Sequence, residues 1–472
     1  MKIWKQLKEC GIRNAFIKIE EKTKDKFEKE YRRSYLELST TTKEMDGPFI
    51  SIVIPAFNPK KEYFRDLLFS INNQNYENWE LCLADASTCE DTKIIFQEFS
   101  NKDSRFKYTR VNNYGISENT NRAIEMARGE YILFADHDDV LARNALFEIA
   151  KCIKDRPVTP KLIYSDEDKI SEDGKTLFRP HIKTDYNIEL LNHYNYMCHV
   201  VAVEKECLEA VGGLRKEYDG AQDYDFLLRV SENVGDDEVV HIPKVLYHWR
   251  AGIGSTAATS GNKGYSINAS LKALSEHYRR IGRSNIEISQ KRGTNYYDID
   301  LNKNLSPLEI LQEYMWSTDG SVGIVAPKIN YKNKVFSCGL SYSTDGNPQY
   351  MFQDNKKYWE GYFYRCRVAS DVSAVLLEGA VVSPKVRTIV GEPDNLLAPG
   401  YRDLDYCFRI KKAGFRILVV PEVAIRITSK EKRKYIFCEE SRKMLYERWG
   451  EYIKKGDPNY FDYKSFCCNG DI

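Results

Sequence analysis

The sequence lacks the short motifs that identify several large enzyme classes. It contains no G-x-G-x-x-G, no Walker-type phosphate loop, no H-E-x-x-H and no G-x-S-x-G. These motifs build dinucleotide turns, phosphate cradles, zinc sites and nucleophile elbows. Their absence argues against a dehydrogenase, a P-loop NTPase, a zincin protease and a serine hydrolase.

Long apolar runs, paired cysteines and net charge are also missing. No apolar run approaches the roughly 18 residues of a membrane span, and the first residues do not resemble a signal peptide. The twelve cysteines are scattered without a C-x-x-C pair, so we expect reduced thiols and a cytoplasmic protein. A net charge of +1 gives no reason to expect a nucleic-acid partner.

The first 47 residues form a predicted helical extension. Its opening, MKIWKQLKECGIRNAFIKI, carries five basic residues and one acidic residue up to Lys18. A basic amphipathic helix with a tryptophan can lie on an anionic membrane surface. Residues 1–19 are therefore a candidate for peripheral contact at the inner face of the plasma membrane. A helix packed on its own domain, or a solvated arm, fits the same pattern, since Gly11 interrupts the apolar stripe.

Short apolar strands alternate with helices from residue 51 onward. Four segments read as strands: SIVIPAFN (51–58), WELCLADAS (79–87), RFKYTRV (105–111) and EYILFA (130–135). Helical patterns separate them, including 117–128, for which Ser117 is the predicted N-cap and Gly129 the predicted C-cap. The alternation predicts an α/β fold, with a doubly wound, mostly parallel sheet and helices on both faces.

Polar residues gather at the ends of these strands, where ligands of such sheets bind. The ends are 55–58, Asp85 and the acidic run 136–139. Asp136 and Asp138 form a D-x-D pair of hard oxygen donors, which suits Mg²⁺ or Mn²⁺ shared with substrate phosphates. An acidic turn that caps the next helix is the structural alternative.

A partial internal repeat divides the chain. HVVAVEKECLEAVGGLRKEYDGAQDYDFLLRV (199–230) and the strand that follows it have a counterpart at 373–427. In both copies an apolar strand precedes a glycine-containing turn, an x-D-x-D helix start that ends in Arg, and a proline-containing strand. The predicted division is an extension at 1–47, a first module at 48–282, a polar linker at 283–305 and a smaller α/β module at 306–472.

The ordered motifs of the first module resemble the family 2 glycosyltransferases of the GT-A fold, in the branch that builds bacterial surface polysaccharides. The resemblance rests on SIVIPAFN, LADAS, NNYGISENTNRAIEMARGEYILFADHDD, YSDEDKI, GAQDYDFLLRV and VLYHWR. It covers 48–282 well, and 306–460 as the back half of a second such module. It implies inverting transfer of a sugar from a UDP- or dTDP-linked donor to a glycan hydroxyl, with a Mn²⁺ or Mg²⁺ ion. By analogy with the same family, the acceptor glycan is expected to be lipid-linked.

The resemblance also implies roles for individual residues. Those assigned to the nucleotide are Pro55, Ala56, Asn58, Asp85 (base), Asn121, Arg122, Asp136 (ribose) and Arg250 (phosphate). Asp138 would bind the metal, His248 would be a further metal ligand or diphosphate contact, and Asp223 would be the general base.

Some of these assignments have alternatives. A carboxylate at Asp223 can take a proton from an attacking hydroxyl, but it can also cap the helix that follows. Asp225 is the rival base, although its spacing favours an ion pair with Arg229. A lone histidine such as His248 is often structural, and Gln222 stands where family members usually carry Glu.

Three consecutive acids, Asp166, Glu167 and Asp168, follow the apolar segment KLIY. They can contact hydroxyl groups of the donor or acceptor sugar, as can Gln222. A charged surface turn explains the same three residues.

The second module departs from the family pattern. It has no SIVIP-like strand, and AIRITSK stands where the histidine would be. We therefore interpret Asp403 as a helix cap and the module as non-catalytic, shaping the acceptor groove, binding glycan or mediating assembly, homo-oligomers included. A single acidic strand end predicts a single catalytic centre.

Two further functions compete with this reading. A nucleotidyltransferase also uses a doubly wound sheet and metal-binding carboxylates, but it would usually show a glycine-rich basic loop after the first strand, where PAFNPKKEY has only a lysine pair. A glycan-binding scaffold with a decayed site is the other, and the intact motifs of the first module argue against it.

Overall fold

The computed structural model describes residues 45–251, 264–283, 286–291, 294–301, 304–316 and 320–460. The predicted helical extension and the membrane contact at 1–19 lie outside these ranges. Within them, no helix is both long and apolar enough to cross a membrane. The nine cysteines of these ranges are free thiols.

The chain alternates between strands and helices throughout. The strands are β1 Ile50–Ala56, β2 Trp79–Asp85, β3 Phe106–Arg110, β4 Tyr131–Phe134, β5 Val140–Leu141, β6 Leu162–Ile170, β7 Leu177–His181, β8 Val201–Glu204, β9 Val239–Arg250, β10 Glu287–Gln290, β11 Tyr297–Asp300, β12 Val322–Tyr331, β13 Lys334–Ser337, β14 Leu340–Tyr342, β15 Pro348–Tyr350, β16 Ser370–Asp371, β17 Val381–Val382 and β18 Arg416–Arg426. The helices are α1 Lys61–Asn72, α2 Asp91–Ser100, α3 Ile116–Met126, α4 Ala145–Lys154, α5 Ile188–His193, α6 Lys205–Val211, α7 Gln222–Ser231, α8 Gly264–Arg280, α9 Pro307–Trp316, α10 Pro384–Val390, α11 Tyr401–Lys412, α12 Ser429–Lys432 and α13 Glu439–Ile453.

The large sheet has the strand order β3-β2-β1-β4-β8-β6-β9-β5, with β7 added beside β6. Its first four strands are parallel, because the intervening helices return the chain to the same end of the sheet. β8 then runs antiparallel to both β4 and β6, whereas β6 and β9 are parallel. The predicted α/β fold with a mostly parallel sheet is confirmed.

The central strands are buried on both faces. In β1, Val53 packs into one apolar cluster and its neighbours Ile52 and Ile54 pack into another. The alternation follows from the two-residue period of a strand. It explains why SIVIP reads as a continuous apolar run: each side chain faces one of two helical layers.

The helix before the acidic strand differs from its prediction. α3 begins at Ile116 after Gly115, and Ala127 is its C-terminal cap. The predicted N-cap Ser117 lies inside the helix, where its hydroxyl donates to the carbonyl of Arg215 at 3.2 Å. The predicted C-cap Gly129 is needed for a different reason: a Cβ atom there would lie 2.6 Å from the backbone nitrogen of Ser51.

A second, smaller sheet forms the core of the C-terminal part, with the order β13-β12-β18-β16 and β17 beside β12. It repeats the arrangement of the first module down to side chains. Asp225 binds Arg229 at 3.0 Å in α7, and Asp405 binds Arg409 at 3.0 Å in α11. Arg229 also donates to the carbonyl of Val211 at the end of α6. Arg409 donates in the same way at the end of α10, so each arginine caps the helix before its own.

The segment predicted as a polar linker contains regular structure. β10 and β11 pair there as an antiparallel hairpin. Tyr297 is buried, and its carbonyl lies 2.8 Å from Nδ1 of His193. The sequence did not indicate this hairpin because its strands are short and largely polar.

Candidate functional site

A cleft opens where β1, β2 and β3 end. Its volume is about 530 Å³, within the range of small-molecule sites. It is lined by Phe57, Ala86, Ser87, Thr88, Arg110, Val111, Asn112 and Asn113. Every one of these residues follows a strand or is the last residue of one, as expected for a parallel sheet.

Asp85, the last residue of β2, directly precedes three residues that line the cleft and is itself fully buried. It accepts hydrogen bonds from the amide of Ser87 at 2.9 Å, the hydroxyl of Tyr108 at 2.8 Å and Nη1 of Arg110 at 3.0 Å. Burial, with a contribution from Asp85, raises the pKa of Tyr108 to about 12. Asp85 thus fixes the loop after β2 and the side chain of Arg110. Because Asp85 is buried among these donors, the predicted hydrogen bond to a nucleobase would require one of them to move.

The predicted residues of β1 lie beside the cleft. The carbonyl of Ala56 accepts from the amide of Ala86 at 2.8 Å, and the carbonyl of Pro55 is 3.3 Å from Nδ1 of His137. Asn58, in the left-handed region at φ 47, accepts from the amide of Thr88 at 2.9 Å. Ala56 joins the loops of the cleft through its backbone carbonyl and Asn58 through its side-chain Oδ1, whereas Pro55 contacts the acidic turn.

None of the eight residues that line the cleft was assigned to the nucleotide from the sequence; two of them, Arg110 and Phe57, carry side chains suited to binding it. Arg110 ends β3, and the same rule that selected the other strand ends would have found it. Phe57, whose side chain is 44% exposed, lies between the predicted residues Ala56 and Asn58. In the sequence, the signal for Phe57 was an aromatic residue directly after a strand and beside a polar loop. A nucleobase can stack on the ring of such a residue.

The acidic run that follows β4 divides into a buried and an open part. Asp139 is buried and accepts from the hydroxyl of Tyr247 at 2.6 Å and the amide of Arg250 at 2.7 Å. Burial, reinforced by Asp136 and Asp138, raises the pKa of Asp139 well above its usual range. The hydroxyl of Tyr247 also accepts from the amide of Asp136 at 3.1 Å, so β9 fixes the whole turn.

Asp136 faces the open side, with 41% of its side chain exposed. Oδ2 of Asp136 is 4.0 Å from Nε2 of His199, a residue that sequence reasoning passed over. Partial burial of the carboxyl raises the pKa of Asp136; His199 opposes that rise, whereas Asp138 and Asp223 add to it. The charge of Asp136 is therefore influenced by Asp138 in the same turn and by Asp223 in the first turn of α7.

Asp223 lies in the first turn of α7, which has Ala221 as its N-cap. It is therefore not the cap, and its Oδ2 accepts from Nδ2 of Asn195 at 2.9 Å. The rival Asp225 is fully buried between Arg215 and Arg229. Gln222 accepts from the amide of Gly220 at 2.8 Å and so shapes the turn before the helix.

The donor set of the strand end fits a divalent cation that is shared with a substrate. Asp136 and Asp138 offer hard carboxylate oxygens. A cation would offset the repulsion from Asp138 and Asp223 that adds to the effect of burial on the pKa of Asp136. Among the described residues, no three His, Cys, Asp or Glu side chains form a ready-made metal site. Phosphate oxygens of a donor would have to complete the coordination.

His248 has a different partner from the one predicted. Its Nδ1 lies 2.6 Å from Oδ1 of Asp168, and its strand pairs it with Val140. Because side chains alternate along a strand, His248 lies on the opposite face of β9 from Tyr247 and on the same face as Arg250. The contact engages Nδ1 alone, and a metal-binding histidine commonly pairs its second ring nitrogen with a carboxylate. The role of His248 as a metal ligand or diphosphate contact stays a prediction.

The three acids of YSDEDK form part of β6, so neither a surface turn nor an open sugar site describes them. Each lies beside a histidine. Asp166 is 2.8 Å from Nε2 of His241, Glu167 is 3.2 Å from Nδ1 of His181, and Asp168 contacts His248. All three acids are buried. They stabilise the sheet behind the acidic turn.

Three further predicted residues lie away from the cleft. Asn121 donates to the carbonyl of Leu214 at 2.8 Å and accepts from its amide at 3.0 Å. Arg122 forms an ion pair with Glu125 on the surface of α3. Arg250 was expected to hold phosphate; it is 1% exposed and donates instead to the carbonyl of Asp138 at 2.7 Å. Its guanidinium fixes the backbone of the metal-binding candidate.

Comparison with known proteins gives this site a family. Residues 51–212 match the family model Glycosyl transferase family 2. Three curated relatives are similar. Uncharacterized protein y4gI of Sinorhizobium fredii is 37% identical, over 61% of this chain and 30% of its own. O-antigen biosynthesis protein RfbC of Myxococcus xanthus is 34% identical, over 50% of this chain and 18% of its own length. GalNAc(5)-diNAcBac-PP-undecaprenol beta-1,3-glucosyltransferase of Campylobacter jejuni is 34% identical, over 21% of this chain and 32% of its own length.

The chain spans less than a third of the length of each of these relatives. The matched residues nevertheless include the cleft, the acidic turn and β8. Residues 51–212 are therefore similar to the glycosyl transferase family 2 domain.

Proposed function

We propose that the protein is an inverting glycosyltransferase of bacterial surface-polysaccharide synthesis. The donor is a nucleoside-diphosphate sugar, UDP- or dTDP-linked, and the acceptor is a glycan hydroxyl. The observation that carries the proposal is that the end of β4 packs against α7, where the ring centroids of Phe134 and Phe226 are 5.5 Å apart. This packing brings the acidic turn with Asp136 and Asp138 near Asp223 in the first turn of α7. The cleft beside them has the volume for a nucleoside.

In this mechanism Asp223 is the general base. It takes the proton from the acceptor hydroxyl as that oxygen forms a bond to the anomeric carbon. The bond from the anomeric carbon to the diphosphate oxygen breaks in the same displacement, and the nucleoside diphosphate leaves with the electron pair. The hydrogen bond that Asn195 donates to Oδ2 of Asp223 supports this role, because it orients the carboxylate.

Asp136 and Asp138 would hold Mn²⁺ or Mg²⁺ against the diphosphate. The ion supplies charge neutralisation for the leaving group when bound. Arg250 and Tyr247 hold the backbone of this turn, and Arg110 and Phe57 line the space for the nucleoside.

The C-terminal module, proposed at 306–472, is non-catalytic. Asp403, its counterpart of Asp223, is fully buried and paired with Arg402 at 3.1 Å. The acceptor is a growing glycan, lipid-linked as in the reaction for which the Campylobacter relative is named.

The test is a screen of nucleotide sugars with Mn²⁺, in which release of nucleoside diphosphate is measured. Asp223→Asn should lower the rate of release by a factor of about 10² to 10⁴, the range of general-base catalysis, while donor binding is retained. Asp138→Ala should abolish the Mn²⁺ dependence of donor binding.

Asp403→Asn is the matched control, because it changes the counterpart carboxylate and should leave turnover intact. Release of pyrophosphate in place of nucleoside diphosphate would identify a nucleotidyltransferase. Glycan binding without turnover of any donor would identify a scaffold. UDP binding that Asp138→Ala leaves unchanged would refute the metal assignment.

A further inference from the structure

Three basic segments of the C-terminal module come together on one surface. They are 331–334, 356–358 and 429–437. Lys334 and Lys356 form an isolated β-bridge, and the amide of Lys357 donates to the carbonyl of Asn333 at 3.0 Å. The hydroxyl of Tyr331 lies 3.1 Å from Oγ of Ser429. We call this surface the basic apolar face.

Positive charge dominates the basic apolar face. The three segments hold eight lysines and arginines and one carboxylate, Glu431. Glu431 accepts from the amide of Thr428 at 2.6 Å and so caps its own helix. In the part of the chain that the structure describes, none of the eight cations forms an ion pair. The whole chain has a net charge of only +1, so the charge is concentrated here.

Large apolar side chains are exposed among these cations. Tyr358 is 69% exposed, Ile436 65% and Phe437 64%. A single exposed apolar residue is ordinary, but these three occur in the segments that carry the charge. Within the described ranges, each of the three stays more than half exposed.

We propose that the basic apolar face docks the protein on an anionic lipid bilayer. Lipid headgroups would neutralise the cations, and the interfacial layer would take up Ile436 and Phe437. A soluble polyanion such as an acidic polysaccharide or a nucleic acid would satisfy the charge alone and leave both apolar side chains in water. The chemistry therefore favours a lipid surface, and the inference does not depend on the proposed sugar transfer.

The test is co-sedimentation of the full chain with vesicles of phosphatidylcholine, with and without phosphatidylglycerol. Lys430→Gln, Arg433→Gln and Lys434→Gln combined should weaken binding to anionic vesicles by about 10² in partition coefficient, at about fivefold per cation. Ile436→Ser with Phe437→Ser should weaken it by at least about tenfold.

Matched controls use the same substitutions elsewhere. Lys102→Gln, Lys216→Gln and Lys455→Gln remove three exposed lysines of other elements, and Phe69→Ser with Ile94→Ser removes two exposed apolar side chains. Both controls should leave vesicle binding within about twofold.

Three outcomes would overturn the proposal. The first is equal binding to neutral and anionic vesicles. The second is full binding by the triple glutamine variant, which would place the contact elsewhere, as at residues 1–19. The third is loss of binding with charge but none with Ile436→Ser and Phe437→Ser, together with competition by dextran sulfate, which would identify a polyanion site. Circular dichroism of each variant separates these results from misfolding.

Discussion

Replacing Glu167 by glutamine removes the charge at the centre of a buried network. Glu167 lies in β6, and its carboxylate is 3.4 Å from Nζ of Lys183, 3.2 Å from Nδ1 of His181 and in contact with the amide of His199. The side chain of Lys183 is fully buried and also donates to the carbonyls of Met197 and His199, each at 2.8 Å. Glutamine keeps the shape of the side chain but leaves a buried ammonium without its counter-charge.

The size of the effect follows from the pKa of Glu167. Burial alone would raise this pKa, but the Lys183 ammonium and the hydrogen bond from His181 outweigh burial and lower it to about 2. Against an ordinary glutamate value near 4.3, the difference corresponds to about 3 kcal/mol of folding free energy at neutral pH. Loss of one partner from a buried ion pair costs about 3–5 kcal/mol, which agrees.

The pH dependence has a definite sign. The folded-state pKa of Glu167 lies below the unfolded value, so the unfolded chain takes up the proton first as the pH falls. The stabilisation is complete above the unfolded pKa and is lost as the pH falls toward about 2. Urea unfolding of wild type and Glu167→Gln should therefore differ by about 3 kcal/mol at pH 7, and by about half of that near pH 3.

Glu80→Gln is the control for this experiment. Glu80 is also buried, but it accepts from the hydroxyl of Ser51 at 2.8 Å and the amide of Arg128 at 2.6 Å, which are uncharged donors. Its replacement leaves no buried cation unpaired and should cost less than Glu167→Gln. A cost of Glu167→Gln that is the same at pH 7 and pH 3 would refute the reasoning, because the contribution would then be packing.

Two further predictions concern the cleft and the acidic turn. Arg110→Ala should weaken UDP binding, measured by calorimetry, by about tenfold, because one charge-assisted hydrogen bond is lost. Lys107→Ala, on the same strand, should leave UDP binding unchanged. Equal effects of the two substitutions would mean that Arg110 does not reach the nucleotide. Tyr247→Phe should lower the free energy of unfolding by about 2–4 kcal/mol, since Asp139 loses a donor while it is buried. Tyr131→Phe, which removes a hydroxyl bonded to an uncharged carbonyl, should cost about 1 kcal/mol, and equal costs would contradict the assignment.

The parallel half of the fold could be predicted because each segment there carries a local signal. In β1 the continuous run of β-branched residues required burial on both faces, and the sheet supplies it. Hairpin β10–β11 could not be found in this way, since burial of Tyr297 depends on packing against α5. Ser117 shows the same limit: its sequence context is that of an N-cap, but Asp219 lies 102 residues away and binds its hydroxyl.

The site was predictable where function depends on the end of a strand, and not where it depends on pairing between distant strands. The acidic turn follows directly from β4, so the position of Asp136 and Asp138 at a strand end could be predicted, whereas their roles stay predictions. The partner of His248 depends on the register of β6 against β9, which aligns it with Asp168. No local pattern encodes that register. Arg250 was misread for the same reason.

The contact between the two modules gives the partial repeat a physical purpose. Phe363, from the C-terminal module, stacks on His181 with ring centroids 3.7 Å apart. His181 is bonded to Glu167, and Glu167 accepts from the amide of His199, whose ring stands beside Asp136. One chain of contacts thus runs from the C-terminal module to the acidic turn. The C-terminal module has no acidic strand end of its own, but through these contacts it supports the segment that holds His199 beside Asp136.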